Sequence, residues 1–197
     1  FNVYDSKGRV SSEYIDVTSP SSSVMNTPTV SYLYNDNDQV TEITRKSSMV
    51  DTGLSESVIT YDYAITNDGL LEVTETKLAA TETVDQNVVT TNQRVSKKYY
   101  EAETMKLVKA IQSSGAEYIY TYDPKGNVKE VTITGEHSSA DASITQTYTQ
   151  KFDRSGNVVE SQRPGRAPEF FKYSPWGELL THTYADGAKV DYTYDNV

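Results

Sequence analysis

An aromatic residue, then Asp, a tight turn with Gly and an apolar residue recur along this chain, and a repeated turn dictates a repeated architecture. The clearest copies read Tyr122-Asp123-Pro124-Lys125-Gly126-Asn127-Val128, Tyr4-Asp5-Ser6-Lys7-Gly8-Arg9-Val10 and Phe152-Asp153-Arg154-Ser155-Gly156-Asn157-Val158. Aligned on the aromatic, the anchors are Tyr4, Tyr34, Tyr63, Tyr122, Phe152, Tyr173 and Tyr194, with a degenerate one at Tyr100. Phe152, Tyr173 and Tyr194 stand 21 residues apart, Tyr100 and Tyr122 stand 22 apart, and 30 residues separate Tyr4 from Tyr34. The unit is therefore 21 or 22 residues, lengthened in places by insertions.

Each part of the turn has a physical task. Asp can accept hydrogen bonds from backbone N–H groups two residues on, closing an Asx-turn. Gly three residues after Asp supplies a positive φ at little cost. Pro124 presets φ just after Asp123. The next Val or Leu returns the chain to an apolar face, giving a hairpin loop of about three to five residues. The flanks alternate with period two, as in Tyr118-Ile119-Tyr120-Thr121-Tyr122 and Val128-Lys129-Glu130-Val131-Thr132-Ile133-Thr134. Alternation in Tyr, Thr, Val and Ile is strand patterning, and it gathers the tyrosines into a ladder on one sheet face. The expected fold is all-β, an array of antiparallel β-hairpins forming a long twisted or curved sheet.

The pattern covers residues 1–197 with no internal boundary, and both ends fall inside a repeat, so the chain reads as a fragment of a larger protein. Ser19–Ser23, Arg45–Glu56 and Gly135–Ala142 read as inserted loops, and Thr76–Thr91 as a longer hairpin outside the register. Ala102–Gln112 has helix-forming residues but lies where a repeat turn is due, which favours a strand.

Composition narrows the function. Tyr supplies 16 of the aromatic rings, and it buries a ring while keeping its hydroxyl wet, which suits half-exposed sheet faces. The net charge of −10 argues against nucleic acid and against anionic lipid as partners. Cysteine is absent, which excludes disulfides, thiolate metal sites and a thiol nucleophile. No apolar run reaches the roughly 20 residues of a membrane-spanning helix, so membrane insertion is not expected.

Gly-x4-Tyr-x-Tyr-Asp-x-x-Gly-x-(Leu/Val) resembles the YD repeat of RHS proteins. Gly115–Val128 fits throughout, with Tyr120, Tyr122, Asp123 and Gly126 in place. Gly187–Asp195 fits the first half, and Gly165–Leu179 fits with an extra spacer, Phe171 for the first Tyr and Ser174 for Asp. The second unit departs, with Asn35 for Asp and Asp38 for Gly, and the third, Tyr61–Leu70, has a longer loop. The resemblance is strong over residues 115–197 and looser before. It implies a secreted or cell-surface protein of the bacterial RHS or Tc-toxin kind, with relatives among animal teneurins. In that family the repeats form a long sheet spiralling into a hollow shell, which in toxin systems encloses a C-terminal toxic domain. The self-cleaving aspartate motif of the family has no counterpart here, so no catalytic residue follows from the resemblance.

Bottom-up, no catalytic, cofactor-binding or metal-binding residues emerge. His137 and His182 are 45 residues apart, and isolated surface histidines explain them. Asn35-Asp36-Asn37-Asp38 is rich in oxygen ligands, yet lacks the Gly and distant Glu of an EF-hand loop, and a solvated turn explains it. Glu101 and Glu103 read as strand-surface charges. Trp176 sits in a turn, where packing on Pro175 or a neighbouring strand is favoured over an exposed sugar-stacking role. The expected function is structural and non-enzymatic, enclosing or scaffolding a toxin, with neighbouring repeats and an enclosed toxin domain as partners. The rival is a free-standing extracellular module that binds glycan or protein through its tyrosine face. A hydrolase on a β scaffold ranks behind both.

Overall fold

The computed structural model describes residues 1–14, 29–49, 53–84, 87–135 and 145–195. Seventeen strands lie among them: β1 Asn2–Tyr4, β2 Val10–Glu13, β3 Val30–Tyr34, β4 Val40–Met49, β5 Gly53–Ile65, β6 Leu70–Lys77, β7 Ala80–Val84, β8 Asn87–Thr91 and β9 Arg94–Glu101, then β10 Leu107–Ile111, β11 Glu117–Tyr122, β12 Val128–Thr134, β13 Thr145–Phe152, β14 Val158–Gln162, β15 Glu169–Tyr173, β16 Leu179–Thr183 and β17 Lys189–Asp191. Fifteen follow one another in chain order through one open antiparallel sheet, and only β7 and β8 pair apart. The fold is the all-β hairpin array that the alternation requires. The described residues form two compact units, Phe1–Lys98 and Tyr99–Val197.

Register fixes which residues share a face. In the second unit Tyr118, Tyr120 and Tyr122 stand opposite Ile133, Val131 and Val128, while Ile119 and Thr121 stand opposite Thr132 and Glu130. One face is thus tyrosine and aliphatic; the other is threonine and charge. Thr147 and Thr149 continue the threonine face, and the ion pairs Lys109–Glu117 (2.6 Å) and Lys151–Glu160 (2.7 Å) cross it. In the first unit Tyr32 stands opposite Ile43, which stands opposite Ile59, and Tyr63 opposite Val73. Among the described residues the buried hydrophobics are Ala110, Ala116 and Ile133, and no large side chain is fully buried. Cohesion therefore comes from cross-strand pairs, each contributing roughly 0.2–1 kcal/mol.

The register shifts at the anchors. Bulges fall between Val3 and Tyr4, Leu33 and Tyr34, Thr121 and Tyr122, Lys151 and Phe152, and Lys172 and Tyr173. A bulge interrupts the ladder and increases the local twist, so these five anchor rings enter the turn from the same kind of kink, whereas the register runs unbroken past Tyr63.

Three expectations change. Arg45–Glu56 is not a loop: β4 runs to Met49, β5 starts at Gly53, and Lys46 stands opposite Glu56, with their charged ends 3.7 Å apart. Serines there masked a strand pair, because the ladder is made by backbone groups and needs no apolar alternation. The third unit does not carry a longer loop. Strand β5 runs two residues past Tyr63 to Ile65, and an ordinary turn follows, with Gly69 N–H bonded to Thr66 C=O. Trp176 does not pack: it is 90% exposed. It stands in the turn between β15 and β16, closed by Gly177 N–H on Ser174 C=O, with almost nothing covering it among the described residues. Thr76–Thr91 does hold a hairpin outside the main register, β7–β8. Ala102–Gln112 holds strand β10, entered by a turn in which Met105 adopts φ +56°. Ser19–Ser23 and residues 136–142 lie outside the described residues.

Candidate functional site

Polar chemistry concentrates in the turn after each anchor and in the ring of the next anchor. The turn has one backbone plan. In the first copy Asp5 N–H donates to Arg9 C=O (2.8 Å) and Gly8 N–H to Asp5 C=O (3.0 Å), and the pairs Asp123/Asn127, Asp153/Asn157, Asn35/Gln39 and Ser174/Glu178 repeat it. Gly8, Gly126 and Gly156 take the left-handed position with φ of 81°, 92° and 91°; Asp38, standing for Gly, takes φ 62°. This is a short hairpin loop closed by a left-handed residue.

The first turn residue caps the loop. Asp123 Oδ1 accepts from Lys125 N–H (2.8 Å) and Asn127 N–H (2.9 Å), and its Oδ2 accepts from Asn127 Nδ2 (2.9 Å). Asp153 repeats this with Ser155 and Asn157. Asp5 accepts from the Lys7 and Arg9 amides and from Arg9 Nε at 2.7 Å. Where Asn35 replaces Asp, its amide donates instead to Gln39 Oε1 (2.9 Å). Where Ser174 replaces it, the hydroxyl donates to Glu178 Oε2 (3.0 Å). In these five turns the residue four places on complements the cap; in the turn at Thr66 it is Leu70, which bonds through its backbone N–H alone. The Asn127 side-chain amide, with the turn's own N–H groups, holds the Asp123 carboxyl below its ordinary range, and Asn157 does so for Asp153. For Asp5 the Arg9 backbone N–H leads, followed by its guanidinium.

That fourth residue also meets the next repeat. Continuing the β2–β3 register, in which Ser12 faces Ser31, sets Arg9 opposite Tyr34. The same step sets Gln39 opposite Tyr63, Asn127 opposite Phe152 and Glu178 opposite Tyr194, and Lys106, five places after Glu101 in a longer turn, opposite Tyr122. Arg9 Cζ lies 4.4 Å from the Tyr34 ring centre and Lys106 Nζ lies 5.3 Å from that of Tyr122. The phenols then reach back. Tyr34 donates to Val10 C=O (2.7 Å), Tyr63 to Val40 C=O (2.8 Å), Tyr122 to Leu107 C=O (2.6 Å) and Tyr194 to Leu179 C=O (2.9 Å). Each acceptor opens the strand after the preceding turn. Neighbouring turns also touch: Asp38 binds Lys7 (3.2 Å) and Arg9 (2.5 Å), and Lys125 Nζ donates to Arg154 C=O.

The residues weighed for chemistry are dispersed. His182, on β16, bonds Glu169 Oε2 through Nε2 at 2.8 Å and stacks between Phe171 and Tyr184. His137 lies outside the described residues. Asp38 is engaged by two side-chain cations, and Asn35 by its own loop, so the Asn35–Asp38 stretch is a hairpin turn. Glu101 ends β9 and accepts from Thr104 Oγ1 (2.6 Å), whereas Glu103 lies exposed in the following turn. Among the described residues no three His, Asp or Glu side chains gather as metal ligands. Sequence reasoning missed the residue four places after the cap, although Arg9, Gln39, Asn127, Asn157 and Glu178 were in view as polar side chains at one fixed position.

No protein-family model matches the chain, and no curated protein matches it. Among solved structures it is similar to a chain of the TcdB2–TccC3–Cdc42 crystal structure, at 13% identity and a TM-score of 0.40. The match covers 92% of this chain and 12% of that one, so the chain spans a small part of the length of its structural neighbour. The likeness is distant, and the strand order above carries the fold assignment.

Proposed function

We propose that this chain is a non-catalytic wall segment of a secreted or cell-surface protein of the RHS kind, whose repeats enclose or scaffold a toxin. One observation carries the reading: the cap carboxylates are spent on closing their own turns, and four anchor phenols on holding each repeat to the one before it. The cap carboxylates are saturated by their own loops, and the phenols are bonded to carbonyls of the preceding repeat. The YD-like motif at Gly115–Val128 supports the same reading. A wall built this way uses neighbouring repeats of the same polypeptide as its first partners.

Sedimentation velocity with urea melting tests it. A wall segment excised from its neighbours exposes unpaired strand edges and self-associates. A chain that sediments strictly as a monomer, whatever its melting, would contradict the proposal.

Trp176 favours a second reading, a module that binds glycan or protein, because an indole exposed to 90% on a short turn is placed to stack on a partner. Glycan-array binding that disappears in Trp176→Ala would establish it, and an array without signal would count against it.

A further inference from the structure

On the tyrosine face of β12, β13 and β14 lies a shallow groove of about 340 Å³. Its floor is Tyr148 with Val131 and Gln150, and it opens where Ser161 leaves space. Lys129 and Arg163 bracket it; Glu130 also lines it, but its register opposite Thr121 places it on the threonine face. Register gives their spacing. Lys129 lies in a row with Gln150 and Ser161, and Val131 in the next row with Tyr148 and Arg163. The two cations are therefore two strands and two residues apart, a diagonal of about 12 Å between their strand positions. Both are exposed, and among the described residues neither is paired with a carboxylate. Glu169, beside Ser161 in the same row, is already held by His182. Lys151 and Glu160 pair on the opposite face. A chain of net charge −10 thus presents, at this one groove, two free positive groups around an aromatic floor.

We propose that the groove binds an extended acidic peptide segment with two carboxylates four residues apart and an apolar residue midway. In an extended chain, residues i and i+4 lie on one side about 13 Å apart, matching the diagonal. Residue i+2 points the same way and meets Tyr148 and Val131. Gln150 and Ser161 offer hydrogen-bonding groups to the peptide backbone. The assignment stands apart from the wall reading, since it rests on face, charge and spacing alone.

The test is fluorescence anisotropy with a labelled heptapeptide carrying two glutamates four residues apart, leucine midway and serine elsewhere. Saturable binding is expected, weakening as salt rises from low to physiological ionic strength. Lys129→Gln with Arg163→Gln should weaken it about twofold to thirtyfold, the sum of two exposed ion pairs. Both residues are exposed, so the double variant should keep the parent's circular dichroism and melting. Moving the glutamates to two residues apart, or replacing them by glutamine, should also weaken binding. No saturable binding, equal binding by the double variant, or a sulfated oligosaccharide outcompeting the peptide would overturn the proposal.

Discussion

Removing one phenol oxygen should loosen one repeat from its neighbour by a predictable amount. Tyr122 donates to Leu107 C=O at 2.6 Å, and Lys106 lies over its ring. Tyr122→Phe keeps the ring and its cation contact and deletes the hydrogen bond alone. A single intramolecular hydrogen bond contributes about 0.5–1.5 kcal/mol net. For a cooperative unit of roughly one hundred residues, with an unfolding entropy near 2.1 cal/mol/K per residue, 1 kcal/mol lowers Tm by about 5 °C. The chain also contains the reverse experiment. Phe152 occupies the same register position, opposite Asn127, with Val128 opening the strand after the preceding turn. Phe152→Tyr should therefore gain a bond to Val128 C=O and raise stability by about 0.5–1 kcal/mol. The two sites meet at Val128, which stands opposite Tyr122 and would accept from the new phenol, so they are coupled and the double variant measures that coupling. Urea melts followed by circular dichroism measure all three variants. An unchanged Tyr122→Phe, or a Phe152→Tyr destabilised as much as Tyr122→Phe was expected to be, would refute the latch.

Three further outcomes follow from the same geometry. Gly126 has φ +92°, and an added Cβ would meet only Lys106 Cε at 3.7 Å, so Gly126→Ala should cost about 1–2 kcal/mol through backbone strain alone; Gly126→Asn should recover part of it, because Asn tolerates that conformation, and matched urea melts separate the two. The carboxyls of Asp5, Asp123 and Asp153 are held below their ordinary value of 3.8 in the fold, so the stability they add is present above that value and lost as pH falls through the lower folded values; melts from pH 6 to about 2 should show a slope that shrinks in Asp123→Asn/Asp153→Asn. Trp176→Ala should leave Tm unchanged within the scatter of an exposed substitution, about 0.5 kcal/mol, because the indole touches little of the sheet.

The array was legible because its punctuation is local. Asp, two spacers and Gly close a turn by bonds within five residues, and Asp5, Asp123 and Asp153 each do so. Alternation in residues 118–122 likewise fixed the tyrosine face. Arg45–Glu56 was not legible, since a serine-rich strand pair shows neither period nor apolar face in the sequence. Nor was the latch. The bond from Tyr34 to Val10 joins residues 24 apart, and its geometry depends on the register between β2 and β3, which no local pattern marks. Trp176 was misread because a large apolar ring usually finds cover, and a turn that projects it gives no sign in the sequence. The groove between Lys129 and Arg163 needed the register of three strands before its two charges could be placed on one face.

Deleting one whole repeat tests the central claim most directly. Removing residues 153–173 joins Phe152 to Ser174, so one anchor still runs into one turn and strand β13 gains β16 as its neighbour. If repeats are units latched to their nearest neighbours, the shortened chain keeps its β-sheet circular dichroism and a cooperative urea transition. Its m-value should fall only by about a tenth, in proportion to the surface removed. A chain that loses its sheet signal, or melts without a transition, would contradict the account.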